Sequence, residues 1–310
     1  MLSSSLISLL VLNEANPYRS DGSGSYSPSR ALLFAHFSNA AYCSAANISY
    51  WDCAPCRAAD KDFVVSKVVS GGGMQGFVGQ APGNDIVVSF RGSDNIRNWI
   101  DNIDIMKTDA YPKCDGCRVH TGFYKAWCEP CHWTQREGSR VRCAGLSSAC
   151  ICTVCCHRNS VKDDVVKEVQ RLHEANSSAN IFVTGHSLGA AVAALCAVEL
   201  GASSQSLGFP IAGVYTYGEP RVGNDQFAKF YMTGTQVSWR VTHWRDIVPH
   251  LPPEAFGFHH TATEVWYTED QKNYTVCDGS GEDPTCADQL FEAVSIDDHL
   301  QYMGIAIAEC

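Results

Sequence analysis

The fold class predicted by the residues is α/β: a single domain whose central sheet is mostly parallel and flanked by helices. Strand-like and helix-like segments alternate between residues 63 and 267, the order expected of a sheet built through helical crossovers. The strand–turn–helix unit at 181–200 carries a helix that is apolar on nearly every side, and such a helix has to lie inside the molecule. A length of 310 residues with an apolar share of 45% is enough to enclose both in one large core.

Residues 13–29, rich in Ser, Gly, Pro and Asn, read as a flexible lead-in, so the domain is expected over 30–310. Leu32, Leu33, Phe37, Ala40 and Ala41 recur at helical spacing and predict a first amphipathic helix over 30–42. Strand-like runs follow at 63–69, 75–80 and 86–90, the last bounded by Gly83 and Gly92. Val161, Val165, Val166, Val169 and Leu172 line one face of a second helix over 161–173. Then come a strand at 181–184, a tight turn at 185–189 and the apolar helix at 190–200. Strands at 212–217, 237–242 and 264–267, with a helix at 225–232, complete the pattern. Residues 128–159 fit neither period and hold Cys128, Cys131, Cys143, Cys150, Cys152, Cys155 and Cys156. Joining Trp127 directly to Ser160 would make one amphipathic helix, so this segment reads either as a disulfide-rich surface loop or as translated, unspliced intron.

The formal charge of -10, with no concentration of Lys and Arg, excludes a phosphate-binding surface, and nucleic acid is not an expected partner. No run approaches the length needed to span a bilayer. The apolar run at 6–12, with Ala15 after it, has the length of a signal-peptide core but lacks a basic leader. Acceptor sequons at Asn47, Asn176 and Asn273 fit an exported chain. Sixteen cysteines mean either disulfides or metal sites. Cys53/Cys56, Cys114/Cys117 and Cys128/Cys131 are C-x-x-C pairs, yet they are scattered and form no compact four-ligand knuckle, so no metal is expected.

Gly185-His186-Ser187-Leu188-Gly189 has the form G-x-S-x-G between a strand and a helix. That context marks a nucleophile elbow, whose strained turn leaves no room for side chains at the two glycines, and it refines the class to an α/β-hydrolase fold. A serine hydroxyl needs an imidazole base oriented by a buried carboxylate, and in this fold the chain order is Ser, acid, His. Asp246, directly after the strand at 237–242, is the expected acid. Four histidines follow it, His250, His259, His260 and His299, and the order rule does not choose among them. His186 and His120 read as structural.

Eight segments resemble the class 3 lipases of the filamentous-fungal type. They are A-A-Y-C at 40–43, S-F-R-G-S at 89–93, I-R-N-W-I at 96–100, C-D-G-C-R-V-H-T-G-F at 114–123, T-G-H-S-L-G-A at 184–190, Y-G-E-P-R-V-G-N at 217–224, D-I-V-P-H-L-P-P at 246–253 and D-H-L-Q-Y at 298–302. The resemblance implies Ser187 as nucleophile, Asp246 as orienting acid and His299 as base. It also implies an oxyanion hole at Ser93 and Leu188, and a lid helix whose apolar face is Ile96, Trp99 and Ile100. Asp101 and Asn102 depart from relatives in which a carboxylate supports the oxyanion serine. The disulfides it implies are Cys43–Cys310, Cys53–Cys56, Cys114–Cys117 and Cys277–Cys286, with Cys196 a buried free thiol. The implied protein is a secreted, monomeric, cofactor-free hydrolase of lipid esters, foremost triacylglycerol, at an oil–water or membrane interface. The same fold and triad would also serve a phospholipase or galactolipase A1 or a feruloyl esterase, and a lipase-like ligand-binding protein is the non-enzymatic alternative.

Overall fold

The computed structural model describes residues 18, 24–128, 160–201, 208–235, 237–290 and 294–310. Its centre is an eight-stranded sheet. In chain order the strands are β1 (Val64–Gly71), β2 (Met74–Gln80), β3 (Ile86–Phe90), β4 (Ile181–His186), β5 (Ile211–Tyr217), β6 (Ser238–His243), β7 (Glu264–Tyr267) and β8 (Tyr274–Val276). They lie side by side in that same order. β3 to β7 pair in parallel, and only the edges, β1–β2–β3 and β7–β8, are antiparallel. The carboxyl ends of the parallel strands therefore open on one side of the sheet, where ligands of open α/β sheets bind.

Strand alternation divides the core between two faces. Ile86, Val88 and Phe90 of β3 and Ile181 and Val183 of β4 point to one side. There they meet α5 (Thr121–Cys128), α6 (Val161–Ala175), α7 (Leu188–Leu200) and α8 (Asp225–Gly234). Val87 and Phe182 point to the other side, against Phe34 and Phe37 of α1 (Pro28–Ala40). α6 starts where the Ser160 hydroxyl accepts a hydrogen bond from Asp163 N, with Asp163 and Asp164 in its first turn. It buries Val161, Val165, Val169 and Leu172, most of the face expected from the sequence. All but two residues of α7 are buried, which its composition demanded.

Four features differ from the sequence expectation. Two residues of the stretch read as a flexible lead-in are anchored: Tyr18 is buried against Phe34 and Phe182 and donates to Asp60, while Tyr26 packs on Trp239, Tyr267 and Tyr274. The turn expected over 185–189 contracts to Ser187 alone, because β4 runs on through His186 and α7 starts at Leu188. Two short helices, α2 (Ala45–Tyr50) and α3 (Ala54–Ala59), have no amphipathic period and were not expected. β8 is exposed throughout, so no burial pattern marked it. The cysteine-rich segment lies outside the described residues except for Cys128, which is buried and disulfide-bonded at the end of α5.

Cys43–Cys310, Cys53–Cys56, Cys114–Cys117 and Cys277–Cys286 are disulfides, and Cys196 is the free thiol among the described residues. Two C-x-x-C pairs are thus closed by sulfur–sulfur bonds. Asn47 and Asn273 are exposed, whereas half-buried Asn176 accepts from the Ser178 amide and hydroxyl.

Candidate active site

Ser187 is the single residue between β4 and α7, at φ 60° and ψ -131°. The left-handed φ is costly for a side-chain-bearing residue, and the surrounding glycines show what enforces it. A Cβ on Gly185 would lie 2.3 Å from Gly189 O, and one on Gly189 would lie 2.4 Å from both Phe90 O and Arg91 O. The first turn of α7 is therefore pressed against the end of β3. A Cβ on Gly92 would stand 2.7 Å from Ser187 Cβ, so the loop leading to Ser93 runs directly beside Ser187.

Asp246 follows β6 and is 2% exposed. Its Oδ1 accepts from Val248 N at 2.8 Å. Its Oδ2 accepts from His299 Nδ1 at 2.8 Å and from the Tyr302 hydroxyl. His299 ends a short helix, α9 (Ile296–His299), capped by Ser295, and has no exposed surface. With Nδ1–H directed at the carboxylate, Nε2 carries the free lone pair. Neither His299 Nε2 nor Ser187 Oγ, both buried, has a hydrogen-bond partner among the described residues. Both border one cavity of about 470 Å³. Of the other three histidines, His250 faces Asp288 (3.4 Å), His259 the carbonyl of His260 (2.9 Å) and His260 the carbonyl of Pro249 (2.7 Å). None reaches Asp246.

His186 supports this arrangement from behind. Its Nε2 donates to the carbonyl of His299 at 2.8 Å, which makes Nδ1 the acceptor of the Tyr42 hydroxyl at 2.7 Å. Burial, with His299 beside it, holds its pKa well below the usual histidine range, so it stays neutral. His120 is structural too: its Nε2 meets Asp104 O and its Nδ1 accepts from Gly122 N and Phe123 N. Sequence reasoning missed Tyr302 and Gly218. Burial first, and then Asp246, drive the Tyr302 pKa well up, so the phenol keeps the proton it donates. A Cβ on Gly218, itself at φ +55°, would lie 2.8 Å from the His299 ring. Tyr302 lies three residues past His299 in D-H-L-Q-Y, and Gly218 opens the G-E-P-R run, so both were visible as motif members without an assigned role.

Ser93 borders the cavity, and Leu188 is the first residue of α7, where a helix leaves its amides without internal acceptors. The segment read as a lid forms α4 (Ile96–Asn102), N-capped by Asn95, with no residue fully buried. Its apolar side chains divide: Ile96 lines the cavity and Trp99 stacks on Phe123 at 6.0 Å. Ile100 is half-buried. Asn102 donates to Asn98 O at 2.6 Å within the helix, and Asp101 is exposed.

The mostly parallel sheet, the elbow and the Ser, Asp, His order define an α/β-hydrolase fold, in which His299 is bonded to Asp246 and shares a cavity with Ser187. The chain belongs to the class 3 lipase family, whose model matches residues 87–256, just over half of its length. It is 40% identical to secreted mono- and diacylglycerol lipase 1 of Fusarium solani, over 63% of this chain and 50% of that protein. Its fold superposes on the Rhizomucor miehei lipase propeptide complex with a TM-score of 0.75 at 30% identity, covering 91% of this chain and 82% of that one. It superposes likewise (0.73, 30% identity, 90% and 95%) on a triacylglycerol lipase whose catalytic centre is a serine protease triad. The matches span about half the length of the curated relatives.

Proposed function

We propose that this chain hydrolyses carboxylic esters of lipids through an acyl-enzyme on Ser187. One observation carries the reading: two buried, unpartnered atoms, Ser187 Oγ and His299 Nε2, face one cavity while the other nitrogen of His299 is tied to Asp246. Ser187 Oγ attacks the ester carbonyl as His299 Nε2 takes its proton, and the amides of Ser93 and Leu188 hold the oxyanion. His299 then returns the proton to the leaving alcohol. Water, deprotonated by the same nitrogen, adds to the acyl carbon and releases the acid and the free serine. Asp246 keeps the ring oriented and stabilises the imidazolium.

Glycerolipids, triacylglycerol foremost, are the substrates we assign, because Ile96 of α4 lines the cavity and the relatives are named as mono-, di- and triacylglycerol lipases. Displacement of α4 would expose Ile96, Trp99 and Ile100 to an oil surface, where lipid replaces water. Export is supported by the four disulfides paired among the described residues and by relatives named as secreted. No helix among the described residues is long and apolar enough to cross a membrane. Replacing Ser187 by Ala is expected to lower ester turnover about a million-fold, by comparison with another serine hydrolase. Turnover of emulsified triacylglycerol and of a soluble butyrate ester measures this, and a variant that keeps most of its activity sinks the assignment.

A further inference from the structure

The cavity holding Ser187 and His299 is bordered by three carboxylates, Asp94, Asp297 and Glu309, and by no Lys or Arg among the described residues. Asp94 is matched by its ion pair with Arg91, whereas no ion pair forms at Asp297 or Glu309 among the described residues. Asp297 is held by α9, two residues before His299. Glu309 is held by the chain end: Asn39 bonds both Ala306 O (3.1 Å) and Ala308 N (2.9 Å), Ile307 N bonds Leu300 O (2.9 Å), and Cys310 is linked to Cys43. The tail is thereby stitched to α1 on either side of Glu309, whose side chain is exposed beside the cavity. Ile96, Leu300 and Ile307 supply apolar wall between these charges, a setting in which a field is screened less than over open surface. Arg97 and Arg245 border a neighbouring cavity that Asp297 shares, but Glu269 and Asp298 border it as well.

We infer that Asp297 and Glu309 set the head-group preference of the active site, selecting esters with an uncharged head over those with an anionic phosphate. This rests on the ester-hydrolase reading above. An ester whose head carries a phosphate has to bring that charge past two exposed carboxylates on anchored backbone to place its carbonyl at Ser187, while a glycerol or acylglycerol head meets no such repulsion. The two residues act on the choice of substrate and take no part in proton transfer.

The test uses the full chain and two soluble substrates with the same acyl groups, dioctanoylglycerol and dioctanoylphosphatidylglycerol. The wild type is expected to prefer the uncharged ester in kcat/KM. Asp297→Asn and Glu309→Gln are each expected to raise phosphatidylglycerol relative to diacylglycerol about fivefold, and together more than either alone. Glu309→Asp, which keeps the charge, is expected to keep the preference. About 0.5 M sodium chloride should narrow the wild-type gap and leave the double variant nearly unmoved. A ratio unchanged within roughly twofold in the double variant, or Glu309→Asp behaving like Glu309→Gln, overturns the inference. Retained hydrolysis of diacylglycerol by Ser187→Ala overturns instead the reading on which it rests.

Discussion

Replacing Tyr302 by Phe removes one oxygen from the support of the proposed triad and leaves its packing in place. The phenol is 1% exposed and donates to Asp246 Oδ2, the oxygen that also receives His299 Nδ1. The Phe ring keeps the contacts the tyrosine ring makes with Tyr217 (5.9 Å) and His186 (5.8 Å), so cavity formation contributes little. What is lost is a hydrogen bond to a buried charge, worth about 1.5–3 kcal/mol. In the mechanism proposed above, part of that loss reaches the transition state, where His299 becomes an imidazolium and leans hardest on Asp246. About 1.4 kcal/mol there is a tenfold fall in kcat. The measurements are kcat and KM on a soluble short-chain ester, with urea unfolding on the same samples. The expected result is kcat down about tenfold, KM within roughly twofold, and stability lower by about 2 kcal/mol. A variant less stable by that amount but with wild-type kcat would show that Tyr302 packs the site without positioning it.

Two further outcomes follow from other regions. The Glu219 carboxyl is pushed up to about 7, by burial first, against the opposing pull of Arg240 and the hydroxyls of Thr216 and Thr261. A carboxyl that holds its proton more tightly in the folded state stabilises most below about pH 4.5, and that contribution, about 3 kcal/mol, is lost as the pH rises through 7. Glu219→Gln should therefore flatten the decline in stability between pH 5 and pH 8; an undiminished decline would place its cause elsewhere. For residues 128–159, the intron reading expects a mature transcript without these codons, and sequencing across the codons for Trp127 to Ser160 decides it. Retention of the codons refutes it in favour of a cysteine-rich loop.

The parts of the fold legible in the sequence are those with a local cause. The apolar face of α6 and the all-round burial of α7 follow from side-chain periodicity, which needs no knowledge of the partner surface. The elements that escaped prediction lack such a signature: α2 and α3 are held by caps at Ser44 and Cys53, and β8 by pairing with β7 and by Tyr274 against Tyr26 and Tyr267. Tyr18 and Tyr26 show the limit from the other side. A composition of Ser, Gly and Pro marks a segment without regular structure, yet single aromatics within it can still be anchored by surfaces that assemble elsewhere.

The active site divides along the same line. The sequence by itself determined the elbow, because the demand for glycine at 185 and 189 comes from steric crowding around one turn and is written in five consecutive residues. It also pointed to Asp246 as the orienting acid, through chain order and a strand end. Chain order left four histidines open and only the resemblance at 298–302 pointed to His299; the contact of His299 with Asp246, the sharing of that carboxylate by Tyr302 and the place of Glu309 beside the cavity came from the tertiary structure. His299 and Tyr302 lie 53 and 56 residues from Asp246 along the chain, and Cys310 lies 267 from Cys43. Over such separations no local rule fixes distance or direction, and it is the packing of α1, the sheet and the chain end that brings these groups together.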